Sequence, residues 1–167
     1  AVDTGDRDDW GIGGTDAGTT VEDTVLSASG QLTIADPDAD EAAFNPLANV
    51  AGAHGTFSIN ASGAWTYALN NADPAVQALG AGQSLPNESF TVTSIDGTTH
   101  TVTISITGTN DAPVANPANV TVAEDAPLLI SSVTASDVDA NATLSFGLAG
   151  PPPAGLTFNT DGSYTFD

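Results

Sequence analysis

A block of sequence in the first part of the chain returns about 100 residues later, and this recurrence limits the possible folds more than any other feature. Val21-Glu22-Asp23 comes back as Val122-Ala123-Glu124-Asp125, with one residue inserted. Asp36-Pro37-Asp38 comes back as Asp137-Val138-Asp139. Asn60-Ala61-Ser62-Gly63-Ala64-Trp65-Thr66-Tyr67 comes back as Asn159-Thr160-Asp161-Gly162-Ser163-Tyr164-Thr165-Phe166, within one residue of turn length. Between the copies lies Gly108-Thr109-Asn110-Asp111-Ala112-Pro113. This stretch closes one β-rich unit and opens the next.

Apolar residues within each copy recur at period two, the spacing of a strand with one buried face. Phe57 and Ile59 alternate on one strand, and Trp65, Tyr67 and Leu69 on the next. Gly63 between them supplies the positive φ of a short turn. Trp65 reads as the core aromatic, with sugar stacking as the less favoured role. A second hairpin runs from Glu88 to Ile95, turns at Asp96-Gly97 and returns over Thr99–Thr107. On the return strand Val102, Ile104 and Ile106 point inward, and simple parity puts His100 on their side, at the rim. Val21–Leu26 and Gln31–Ile34 read as the first two strands, and Pro37 ends the ladder at the Asp36/Asp38/Asp40 cluster. Pro74, with Val76 and Leu79 three apart, predicts one helical turn between sheets. The predicted organisation is residues 1–20 as a linker or the tail of a preceding unit, 21–112 as one β-sandwich, and 113–167 as a partial second one. Trp10 is expected to dock if the linker is ordered.

The chain carries 21 Asp and Glu against the single basic residue Arg7, a net charge of −20. Nucleic acids and anionic membranes are therefore poor partners, since phosphate binding needs Lys and Arg. Divalent cations are the natural counter-charge. With 40% hydrophobic residues in strand order, disorder is not expected for most of the length. The absence of Cys excludes disulfides and thiol chemistry, and no stretch approaches the ~18 apolar residues of a membrane span. No enzyme is expected either. His54 and His100 are the only histidines and lie in unrelated settings, no nucleophile or phosphate-loop motif appears, and without Lys no isopeptide cross-link can form.

Residues 13–114 resemble the VCBS repeat of large bacterial RTX-type surface adhesins. The matching text is Gly14-Thr15-Asp16, Gly55-Thr56-Phe57, Trp65-Thr66-Tyr67, Asn71-Ala72-Asp73-Pro74 and Gly108-Thr109-Asn110-Asp111-Ala112-Pro113. Residues 115–167 resemble part of a bacterial cadherin-like repeat, through Val133–Asp139 and Asn141-Ala142-Thr143-Leu144. The resemblance implies an all-β chain of tandem Greek-key (Ig/cadherin-like) β-sandwiches, the second incomplete. It also implies secretion to the bacterial cell surface or extracellular matrix, with Ca2+ at the joints. Carried over residue by residue, one junction site uses Glu22, Asn110, Asp111, Asp137 and Asp139, with Asn141 as a further candidate. Asp36 and Asp38 serve the preceding junction, with Asp16 as a linker partner. The residue types agree independently, because calcium takes six to eight oxygens at flexible geometry and an Asp-x-Asp loop puts two carboxylates on one side of an extended backbone. Asp and Asn are also ordinary turn residues, which is the competing account.

The second copy has no equivalent of the Phe90–Ile106 hairpin, so its sandwich is expected to be completed from elsewhere, by further chain or by another molecule. Two readings follow. One is a non-enzymatic extender segment of an adhesin or biofilm matrix protein, whose partners are neighbouring repeats. The other is a filament or surface-layer subunit that accepts strands from other copies.

Overall fold

The computed structural model describes residues 11–35, 42–123 and 127–167. The chain divides into two compact units, Ala1–Thr109 and Asn110–Asp167. The first unit is a β-sandwich. One sheet holds β1 (Ile12–Gly14), β3 (Ser27–Ile34), β6 (Ala64–Leu69), β5 (Gly55–Ile59) and β4 (Leu47–Ala51), in that spatial order. The other holds β2 (Ala17–Val21), β8 (Thr99–Thr107) and β7 (Glu88–Thr93). Residues 12–20, expected within the linker or tail of a preceding unit, thus fall largely in two strands of this unit, β1 antiparallel to β3 and β2 parallel to β8. Their Gly- and Thr-rich text shows little apolar alternation because pairing with distant strands, not burial of large side chains, holds them. The expected strand Val21–Leu26 is likewise corrected. β2 ends at Val21, and Asp23 turns the chain with φ at 57°. Trp10, Asp36, Asp38 and Asp40 lie outside the described residues.

The alternating residues meet between the sheets. Phe57, Ile59, Trp65 and Tyr67 face Phe90, Val92, Val102, Ile104 and Ile106, all buried. Phe57 and Phe90 join the two sheets by stacking, with ring centroids 4.7 Å apart and planes 9° apart. Such pairs add about 0.5–1.5 kcal/mol beyond area burial. The Trp65 indole lies on Gly30 and Gly18, where a Cβ would come within 2.6 Å and 2.9 Å of it respectively. Its Nε1 donates to the Thr15 carbonyl at 2.7 Å. Between the two hairpins, α1 is a single turn over Pro74–Gln77, capped by the Asp73 side chain on the Ala75 amide.

The second unit holds β9 (Val114–Asn116) paired with β11 (Thr134–Ser136), and β13 (Ser163–Phe166) flanked by β10 (Leu129–Ser132) and β12 (Leu156–Phe158). Its turn repeats that of the first unit. Gly63 has φ at 86°, and its carbonyl accepts from the Leu32 amide. Gly162 has φ at 87°, and its carbonyl accepts from the Val133 amide. Phe44 N–H to Ala61 and Phe146 N–H to Thr160 are a second matched pair of bonds. The burial differs. Among the described residues, no fully buried apolar side chain belongs to this unit, and Ile130 and Val114 are 72% and 65% exposed. A β-sheet face without a covering layer leaves its apolar side in water.

Candidate functional site

Among the described residues, the acidic residues singled out by spacing fall into two places. In the first unit, Glu22 follows the end of β2 and is buried, with Oε2 accepting from the Thr109 amide at 3.3 Å. In the second, Asp111, Asp137 and Asp139 are linked. The Asp111 amide donates to Asp139 Oδ2 at 3.0 Å, and the Asp139 amide donates to Asp137 Oδ1 at 3.0 Å. Asn110 is exposed, and its Nδ2 donates to the Asp111 carbonyl at 2.6 Å. Asn141, with φ at 65°, turns the chain just beyond, where the Ala142 amide donates to the Asp139 carbonyl.

Asp139 is the informative member. Its side chain is 8% exposed, and Oδ1 has no hydrogen-bond partner among the described residues. A buried carboxylate oxygen without a donor is costly unless a cation meets it. Among the described residues, however, no three or more acidic or histidine side chains are grouped so as to hold an ion. The side chains of Asp111, Asp137 and Asp139 offer only oxygen ligands, which suits a hard cation.

A second polar cluster, in the first unit, was not visible as such in the sequence. The His54 imidazole Nδ1 and Asp73 Oδ2 are 2.8 Å apart, and the His54 amide donates to Glu88 Oε1 at 2.5 Å. The fully buried Tyr67 hydroxyl lies near Glu88 but outside hydrogen-bonding geometry. Burial, then the Glu88 charge, hold its ionisation well above the usual tyrosine range. These residues come from the β4–β5 turn, α1, β6 and β7, so only the Asp73-Pro74 helix start was a local signal. His100 lies at the rim, as parity predicts, with Nε2 3.1 Å from Asp16 Oδ2. Asp16 is thus engaged within the first unit.

The bond from His54, with the Ala75 amide, holds the Asp73 carboxyl below its ordinary value. A depressed folded value contributes stability above the unfolded pKa and loses it as pH falls through the folded one. Asp73→Asn keeps the helix cap. It is expected to remove this loss, so the variant and parent should converge as urea midpoints are followed from about pH 5 to about pH 2. Parallel curves would show that Asp73 makes no such contribution.

Trp65 is 1% exposed, which removes it from any sugar-stacking role. Among the described residues no helix is long and apolar enough to cross a membrane.

Stacked sheets closed over one aromatic core define the first unit as a β-sandwich module. Residues 8–108 match the family described as a bacterial cadherin-like domain, and the chain belongs to that family. Residues 110–167 match a bacterial Ig domain. The cadherin-like description thus falls on the first unit, where the motifs resembled a VCBS repeat, and the Ig description falls on the second. Domains of these two kinds are typically non-catalytic structural modules of extracellular or surface proteins. Cadherin-like domains generally bind calcium. No curated protein matches the chain.

Proposed function

We propose that this chain is a non-enzymatic extender segment of a secreted bacterial adhesin or matrix protein, in the VCBS-type setting that its motifs resemble. Calcium rigidifies the connection between its successive units. The observation that carries the reading is the buried Asp139 carboxylate, with one oxygen unmet and with Asp111 and Asp137 bonded to the same segment. Asp111, Asp137 and Asp139 are the residues that hold the ion, with Asn110 as a further oxygen donor. In a chain of net charge −20, a bound divalent cation also relieves self-repulsion.

Calcium that binds only the folded form stabilises it by mass action, about 2.7 kcal/mol at 100 times its Kd. Thermal unfolding in millimolar-range calcium (about 1–5 mM) and in excess chelator is the test. A midpoint raised by calcium and insensitive to it in Asp137→Ala/Asp139→Ala supports the site. Equal midpoints in both buffers would leave these Asp as turn residues.

A second reading is favoured by the exposure of Ile130, Val114 and Leu128 in the second unit. In it, the open sheet accepts strands from a neighbouring copy and the chain assembles into filaments or a surface layer. Light scattering during the same experiment separates the two, since an extender stays monomeric in calcium and a strand acceptor grows.

A further inference from the structure

Among the described residues, the first unit has two sheet-edge strands on one side, β4 of the larger sheet and β7 of the smaller. Between them lies a cleft of about 540 Å³ whose apolar lining includes Leu47, Val50, Pro86 and Phe90. It is bounded at both ends. At one end residues 43–45 already pair with the end of β7, through Asn45 N–H to the Thr93 carbonyl and Ile95 N–H to the Ala43 carbonyl. At the other, Glu88 Oε1 holds the His54 amide.

The first of these contacts fixes which way the β7 backbone points. Thr93 and Ile95 turn their polar groups outward, so period two turns those of Thr91 and Ser89 outward as well. Among the described residues, no backbone bond from another segment reaches Ser89 or Thr91 on that side. Their side chains are exposed, while Phe90 between them is buried. Residues 43–45 thus begin a strand pairing that the rest of β7 leaves open beside an apolar cleft.

We propose that this edge takes a short extended segment of a basic partner protein. Its backbone pairs with Ser89–Thr91, and an apolar side chain flanked by Lys or Arg enters the cleft. Backbone pairing at a free edge supplies affinity, and alternate side chains supply choice. Charge decides the partner. At −20 with no Lys, a second copy of this chain is repelled from the same edge, while a basic strand is attracted.

The probe is the capped peptide Lys-Val-Thr-Val-Lys, added to the full chain, with amide hydrogen exchange read at Ser89 and Thr91. Slowing at these two amides by about tenfold or more is expected. The same peptide with both Lys replaced by Glu, and pentalysine, should not produce it. Ser89→Pro removes one outward donor at a tolerated edge position. Val50→Lys places a charge at the rim of the cleft, where Val50 is 38% exposed. Each variant should weaken peptide binding at least about tenfold at unchanged melting temperature, and Val50→Lys alone decides if Ser89→Pro does not fold. Equal protection by pentalysine, absence of protection at saturating peptide, or no binding overturns the proposal. So does protection that grows with protein concentration alone, which would make the occupant a second copy.

Discussion

Trp65→Ala is expected to destabilise the first unit by about 3–5 kcal/mol, the usual range for removing a buried large aromatic. The side chain is 1% exposed, lies 6.0 Å from Phe57 between ring centroids and rests against Gly18 and Gly30. These glycines leave a space shaped for an indole, and neighbouring strands cannot close it without moving their backbones. The change also strips the Thr15 carbonyl of its Nε1 donor. Since domains of this size are stable by only about 5–15 kcal/mol, much of the margin disappears. Urea unfolding followed by circular dichroism reads the effect. A loss under about 1 kcal/mol would mean that the two sheets do not depend on this contact.

Glu88→Ala is expected to cost about 2–4 kcal/mol, for a different reason. The carboxylate is 8% exposed and holds the His54 amide, tying the β4–β5 turn to β7. Truncation leaves that amide without its acceptor, about 1–3 kcal/mol, and opens a small cavity beside Tyr67 and Phe90. Glu88→Gln separates charge from shape. It keeps the volume and an acceptor oxygen, so its cost should stay within about 1 kcal/mol. It should also let Tyr67 ionise at lower pH than in the parent, because the neighbouring negative charge is gone. Ultraviolet titration of the phenol checks this. If Glu88→Gln proves as damaging as Glu88→Ala, the negative charge and not the hydrogen bond is what the turn requires.

The parts legible in the sequence were those in which local pattern and burial coincide. Phe57/Ile59 and Trp65/Tyr67/Leu69 announce a hairpin because alternate positions are large and apolar and Gly63 marks the turn. The Val102/Ile104/Ile106 series does the same for β8. Strands β1 and β2 were not legible. Ile12-Gly13-Gly14 and Ala17-Gly18-Thr19-Thr20-Val21 contribute few side chains to the core, and β2 pairs with a strand more than eighty residues away, from Ala17↔Thr103 to Val21↔Thr107. Small residues stand there because Trp65 and Ile104 press on Gly18, a demand set by remote positions. At the acidic site, spacing marked Asp137 and Asp139, and the repeat junction marked Asp111. The burial that makes Asp139 distinctive could not be read from residue type. The His54–Asp73 pair, nineteen positions apart across a hairpin, left no periodic trace.

β2 lies parallel to β8, and the two are the second and the last described strands of the first unit. When a chain is stretched between its ends, an antiparallel terminal pair peels apart one rung at a time. A parallel pair cannot, because the two strands are drawn along their length in opposite directions and every rung is strained together. For this unit those rungs run from Ala17 to Val21, with Thr20 and Ser105 adding side-chain bonds across the same seam. Under tension the seam therefore yields as a block, and the rate at which it lets go, not the equilibrium stability, sets how long the unit holds.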